Sequence, residues 1–220
     1  MIDDFIIPSK NVRALVLGCS NGYETEQLSK RFERLDVIDG LSVFIDQLKK
    51  KNKYSNVNFI FSLFEEFRTE DNLMYDYIFC NYVLEHVYDP IKVLKQIQKS
   101  LKPNELISIV VPNSNTLSRR LAKEMMIIDD LKNLTENDKK HGHRRVYEKN
   151  EIERHLNLAG FTIVETKGIL LKILTDYQPN KLFVDGFSRK EHIFGMQKLA
   201  LKVENIEFSD SFFIVAQKTK

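Results

Sequence analysis

Two stretches of this chain carry residues whose types and spacing can do chemistry. In the first, His141-Gly142-His143-Arg144-Arg145 with Tyr147 close behind, two imidazoles and two guanidiniums stand side by side. An imidazole is well suited to take a proton near neutral pH, and guanidinium groups grip phosphate-type oxygens bidentately. The segment reads either as a base beside an anion clamp or as a solvated basic face, which is the usual fate of a charge run. His143 is the preferred base, with His141 and His86 as further candidates; Arg119, Arg120, Arg144, Arg145 and Tyr147 are the candidate substrate-binding groups. His86 has a second reading, as a buried structural hydrogen-bonder. A His-x-His pair also suits a metal, but the spacing offers no further ligands, so no metal is expected.

The second stretch, Gly18-Cys19-Ser20-Asn21-Gly22, leaves the apolar run Ala14 to Leu17 and leads into a plausible helix. Glycines at such a turn let the backbone approach a ligand closely. Ser20 is small enough to keep that approach open, while the spacing departs from the three-glycine dinucleotide fingerprint and disfavours a nicotinamide-dependent oxidoreductase. Asp39 ends the next apolar run, about 20 residues on, where a carboxylate can hold both hydroxyls of a ribose. The alternative is a tight strand-to-helix turn with Asp39 capping the next helix. Cys19 and Cys80 both follow apolar runs and read as small buried residues rather than reactive thiols.

These groups need elements to hold them. Apolar runs at 13–18, 35–39, 57–61, 75–81 and 106–112 alternate with amphipathic stretches, the pattern of strand-helix units around a parallel sheet. The clearest helix follows the fourth run: Asp89 caps it, Pro90 suits its first turn, Ile91, Leu94, Ile97 and Leu101 recur at helical spacing, and Lys102-Pro103-Asn104 stops it. A polar segment at 113–150 reads as an insertion over one edge of the sheet. Another capped helix spans 150–160, and 161–169 and 211–218 read as further strands. Phe59, Phe61, Phe64 and Phe67 read as core, and Ile169 to Leu174 as a core strand or the wall of an apolar pocket.

Length and composition set bounds on function. A chain of 220 residues suits one domain, here 1–220 with 113–150 as its inserted lid. A formal charge of +2 gives no reason to expect nucleic acid or an anionic membrane. Two cysteines make no disulfide framework, which points to a reducing, cytoplasmic setting. The opening MIDDFII is acidic and too short in apolar length for a signal peptide, and no run is long enough to span a bilayer.

The stretch YDYIFCNYVLEHVYDPIKVLKQIQKSLKPNELISIVVPN, residues 75–113, resembles the class I S-adenosylmethionine-dependent methyltransferases. The resemblance rests on Asp76, Leu84-Glu85-His86-Val87, Asp89-Pro90, Leu101-Lys102-Pro103 and Pro112-Asn113, in order behind the glycine turn and Asp39. It implies a Rossmann-like α/β sandwich with a seven-stranded, mostly parallel sheet whose last strand is antiparallel, and S-adenosylmethionine as cofactor. It further implies that Gly18, Cys19, Ser20 and Gly22 border the methionine portion, Asp39 holds the ribose, Gly40 and Leu41 lie along the adenosine, Leu63, Phe64 and Glu65 meet the adenine, and Asn81 ends the fourth strand beside the cofactor. Two positions depart from the family pattern. Val16 replaces an acidic residue two positions before Gly18, and Leu63 stands where an aspartate often receives the adenine amino group.

HGHRRVY and LAGFTIVETKGILLK also resemble a subgroup associated with surface-glycan precursors. The leading expectation is O-methylation of a small anionic or sugar-containing acceptor, such as a nucleotide-activated capsule precursor. Alternatives are a quinone or other small-molecule methyltransferase and a non-catalytic cofactor-binding subunit. Asn81-Tyr82-Val83-Leu84 lacks the proline pair of amino-directed base methyltransferases. A thinly covered cleft makes a homodimer plausible.

Overall fold

The computed structural model describes residues 12–51, 55–69, 74–174, 181–182, 184–186 and 189–219. Residues 1–11 and parts of 170–205 lie outside them. Seven strands form one sheet: β1 (Arg13–Leu17), β2 (Arg34–Asp39), β3 (Val57–Phe61), β4 (Tyr75–Asn81), β5 (Leu101–Pro112), β6 (Phe161–Ile169) and β7 (Ser211–Lys218). Their order is β3-β2-β1-β4-β5-β7-β6. β7 runs antiparallel to both β5 and β6, and the other pairs are parallel, as the sequence predicts. Strand order reverses between β1 and β4, and in open α/β sheets the crevice beyond the carboxyl ends at that reversal is the ligand site.

Alternation along β1 divides the core between the two faces of the sheet. Ala14 and Val16 pack with Leu28 of α1 (Tyr23–Ser29) and with Ile45 and Leu48 of α2 (Ser42–Lys50). Leu15 and Leu17 pack with Val93, Leu94 and Ile97 of α3 (Pro90–Ser100) and, across the same face, with the cluster holding Ile152 and Leu156. A sheet covered on both faces explains why its central strands read as continuous apolar runs. The start of α3 follows its sequence: the Asp89 side chain accepts the Lys92 N–H at 2.9 Å and Pro90 opens the first turn.

Four details differ from the sequence reading. β5 begins at Leu101 rather than 106, because Leu101 pairs with Tyr75 and the chain absorbs Lys102-Pro103-Asn104 as an irregularity, with Asn104 left-handed at φ 64°. The helix placed at 150–160, numbered α6 below, starts at Lys149 behind Glu148, which makes no side-chain cap bond. β6 ends at Ile169 and Leu170 turns left-handed at φ 50°, so Leu170 to Leu174 leave the sheet instead of extending it. Phe61 is exposed at the last position of β3, whereas Phe67 is buried.

The 113–150 segment runs past the carboxyl ends of β4 and β5. It holds α4 (Leu117–Glu124) and α5 (Glu136–Lys140), returns through a parallel bridge between Asn113 and Tyr147, and enters α6 (Lys149–Leu158). α7 (Lys190–Ala200) and a 3-10 turn (Val203–Phe208) precede β7. Among the described residues, no helix is long and apolar enough to cross a membrane.

Candidate active site

The glycine turn follows β1 at the reversal point. Gly18 donates its N–H to Ile38 at 2.8 Å, and Gly18, Ser20 and Gly22 all adopt left-handed backbone (φ 79°, 41° and 85°). A Cβ on Gly22 would clash with the Leu48 side chain of α2, and the left-handed backbone at this position favours glycine as well. The turn is stitched to β2 by Asp39. One carboxylate oxygen accepts the Cys19 N–H at 2.9 Å, with the Cys19 thiol at 3.3 Å; the other accepts the Leu41 N–H at 2.8 Å. Cys19 is therefore committed to Asp39 through its backbone, and burial together with that negative charge pushes its thiol up to about 12. Leu41 and Leu63 are exposed on either side of Gly40, Phe64 is half-buried against the main core, and Glu65 is half-buried beside it.

Val16 is fully buried in the apolar cluster beneath α1 and α2, and no carboxylate is offered there. Glu24, in the first turn of α1, brings one from the other side: its Oε1 accepts a hydrogen bond from Asn81 Nδ2 at the end of β4. Burial raises the Glu24 carboxyl above its usual range, and the Asn81 bond opposes part of that rise. Sequence reasoning missed Glu24. The signal available to it was the missing acid at position 16, which invites a search for a substitute near the same turn.

The connection after β4 forms the opposite wall. Tyr82 is left-handed at φ 56°. Val83 lies 3.6 Å from where a Gly18 Cβ would be, so the glycine turn and this connection share one crevice. The end of the 113–150 segment is laid along it. Arg144 donates its N–H to the Glu85 carbonyl at 2.7 Å and its Nε to the His86 carbonyl at 2.9 Å. The Arg145 guanidinium reaches the carbonyls of Leu84, Val87 and Tyr88 at 2.6, 2.5 and 2.9 Å, and the buried Tyr147 donates its hydroxyl to the Leu84 carbonyl at 3.3 Å.

This stitching brings together two of the three histidine candidates. The His86 and His143 rings meet edge-on with centroids 4.9 Å apart, and His86 Nδ1 lies 3.3 Å from the Gly142 carbonyl. Burial and the neighbouring His143 pull the His86 imidazole below its usual value. His141, just after α5, stands apart, its ring 6.1 Å from that of His143 and its Nδ1 2.8 Å from the carbonyl of Asn137 in the first turn of that helix. Behind His143, Asp138 Oδ1 lies 3.4 Å from Nδ1. Burial works to raise the Asp138 carboxyl, but His143, Thr135 and Arg119 together hold it well below the ordinary carboxylate range.

The arginines divide in two. Arg119 is turned inward, onto Asp138 at 3.0 Å and the carbonyls of Leu131 and Asn133, and Arg145 is occupied as above. Both hold the segment in place. Arg120 bonds Asn115 through Nε and lies over the Phe208 ring; Arg144 lies over the exposed Tyr88 ring at 3.5 Å. The terminal nitrogens of Arg120 and Arg144 make no further bond among the described residues.

Glu85 is the other group that sequence reasoning left without a role. It is fully buried and, among the described residues, neither carboxylate oxygen finds a hydrogen-bond partner in another residue. Burial pushes its carboxyl up to about 8, against the charge of Arg145.

Residues 7–166 match the family model described as a methyltransferase domain. The ubiquinone biosynthesis O-methyltransferase of Hydrogenovibrio crunogenus is 26% identical over 162 residues, 73% of this chain and 66% of that protein, so the chain spans just under two thirds of that relative. Among solved structures, an S-adenosylmethionine-dependent methyltransferase from Mesorhizobium loti aligns with a TM-score of 0.65 at 10% identity, covering 99% of this chain and 95% of that one. The N-methyltransferase NodS of Bradyrhizobium japonicum WM9, in complex with S-adenosyl-L-homocysteine, aligns at 0.57 and 14% identity over 95% and 79%.

Proposed function

The chain belongs to the class I S-adenosylmethionine-dependent methyltransferase family, and on that premise we propose that it methylates an oxygen of a small anionic or sugar-containing acceptor, such as a nucleotide-activated surface-glycan precursor. The donor set suits the cofactor. Asp39 Oδ1 keeps acceptor capacity beyond its bond to Leu41, and Oδ2 shares itself between the Cys19 N–H and a weak thiol donor that a hydroxyl can displace, which fits a ribose diol. Exposed Leu41 and Leu63, flanking Gly40 with Phe64 and Glu65 alongside, suit a flat adenine. Gly18, Ser20 and Gly22 give the methionine chain close access to backbone, and Glu24, held by Asn81, supplies the anion for its ammonium group that Val16 cannot. When bound, S-adenosylmethionine supplies a methyl group already activated for displacement.

What remains for the protein is to place the acceptor in line and manage its proton. The observation that supports the oxygen reading is the His86–His143 pair, two imidazoles gathered at the connection whose Val83 packs on the glycine turn. They are the groups suited to weaken or take a hydroxyl proton, with His141 farther out on the rim. Arg144 and Arg120, with terminal nitrogens to spare, suit an anionic acceptor, while Arg119, Arg145 and Tyr147 position the segment that carries them.

A second reading, a phenolic acceptor of the quinone-precursor kind, is favoured by the 26% identical ubiquinone biosynthesis O-methyltransferase. The test is S-adenosylhomocysteine release with nucleotide sugars in one arm and simple catechols in the other. Turnover of a nucleotide sugar supports the leading reading. Turnover of catechols alone replaces it with the second, and tight cofactor binding without turnover in either arm replaces both with a cofactor-binding subunit.

A further inference from the structure

We propose that Glu85, His86 and His143 form a binding site for one divalent first-row transition cation. One potential ligand atom from each residue lies within 4.8 Å of the other two. These residues come from two separate segments, 85–86 and 143, held together by the Arg144 and Arg145 bonds to the intervening carbonyls, so their convergence is built into the backbone. Around an ion with bonds of about 2.1 Å, ligand atoms stand roughly 3.0–3.5 Å apart, so closure needs movements of about an ångström, within reach of small ring rotations.

Three features favour a cation over a plain packing cluster. Glu85 is fully buried, yet among the described residues neither oxygen has a partner in another residue, and a buried carboxylate left in that state is costly unless a positive charge or a proton joins it. The His86 ring is also oriented as in a metal ligand. The Gly142 carbonyl can only accept, so it fixes the His86 proton on Nδ1 and leaves the Nε2 lone pair free, the outer arrangement common to ligating histidines. His143 Nδ1 is buried with no hydrogen-bond partner among the described residues, the Asp138 carboxylate standing 3.4 Å away. Finally, two imidazoles with one carboxylate suit Mn2+, Co2+ or Zn2+ better than Mg2+. The site is formed by non-adjacent residues and not by the His141-Gly142-His143 repeat, which is why spacing alone does not reveal it.

The cation site stands by itself; a bound ion takes the lone pairs of His86 and His143, so the ion rather than either ring would weaken an acceptor hydroxyl's hold on its proton, a use that rests on the methyl-transfer reading above. The test uses chelator-treated full-length protein titrated with Co2+, followed by its visible absorption, and with Zn2+ by equilibrium dialysis. Expected is one equivalent bound, with affinity at least tenfold weaker in each of His86→Gln, His143→Gln and Glu85→Gln, and changed less than twofold in His141→Gln. Circular dichroism checks that each variant is folded; if buried Glu85→Gln is not, the two half-exposed histidine variants decide. Absence of saturable one-to-one binding, or binding unchanged in His86→Gln and His143→Gln, overturns the site. A protein that binds Co2+ in this way but not S-adenosylhomocysteine would keep the site and refute the methyl-transfer reading.

Discussion

Asn81 at the end of β4 donates its side-chain amide to the carboxylate of Glu24 in the first turn of α1, joining the two sides of the crevice at the point where strand order reverses. If Glu24 is the ammonium partner, Glu24→Gln weakens S-adenosylhomocysteine binding by at least tenfold in isothermal titration, with the melting temperature little changed. Because burial raises this carboxyl, its anionic form is lost at a higher pH than for an ordinary glutamate. Wild-type affinity therefore declines as pH falls through the raised value. Equal affinities in wild type and variant across that range would remove Glu24 from the role.

The contact between Gly22 and Leu48 makes a separate prediction about stability. Gly22→Ala forces both a left-handed alanine and a Cβ into the space of Leu48 Cδ2, and destabilises the protein by about 1–3 kcal/mol in denaturant unfolding. The double variant with Leu48→Ala removes the clash but keeps the backbone strain. Its loss relative to Leu48→Ala alone is accordingly smaller than the loss from Gly22→Ala in the wild-type background. Additive effects would mean that the clash contributes nothing.

His155 in α6 is buried, its Nδ1 has no partner among the described residues, and its ring meets that of Tyr147 edge-on. Burial lowers its pKa below the ordinary 6.5. The unfolded chain thus takes up the proton first as pH falls, so the contribution of this residue to stability is full above pH 6.5 and is lost as pH drops toward the lower folded value. Thermal melts at pH 7.5 and 5.5 should show a larger drop for wild type than for His155→Leu. Parallel drops would show that His155 is not the titrating group.

Arg145→Lys keeps the charge but replaces a fork reaching three carbonyls with a single ammonium. A loss of about 1–3 kcal/mol is expected, from carbonyls left with poorer partners. The same variant should increase hydrogen exchange at the amide of Arg144, which is held by the Glu85 carbonyl, while leaving exchange in β1 and β2 unaltered. Protection at Arg144 equal to that of wild type would show that the guanidinium does not hold this segment.

Much of the sheet was legible because its strands are buried on both faces, so apolar runs mark them directly, and Asp89-Pro90 marks the start of α3 by local hydrogen-bonding chemistry alone. The start of β5 was not, since Pro103 and Asn104 look like a stop while the pairing of Leu101 with Tyr75 is a tertiary fact. Asp39 stands at the strand end that its motif predicts. Glu24 and Asn81, 57 positions apart, meet only after β1 and β4 become neighbours. The arginines of the basic segment carry no sign in sequence of whether they face inward or outward; Arg119 and Arg145 are spent on carbonyls and Asp138, and only the folded chain reveals it. Glu85 and His143 likewise converge through contacts between segments far apart in the chain.

The Asn113–Tyr147 bridge and the Arg145 fork close the 113–150 segment at its base. The histidines sit on the anchored side of that closure, while α4 and the turns after it lie beyond it. Evolution or a protein engineer can therefore lengthen, shorten or exchange the stretch between Arg119 and its partners Leu131, Asn133 and Asp138 like a cassette, recruiting new acceptors while the carboxylate behind His143 stays braced.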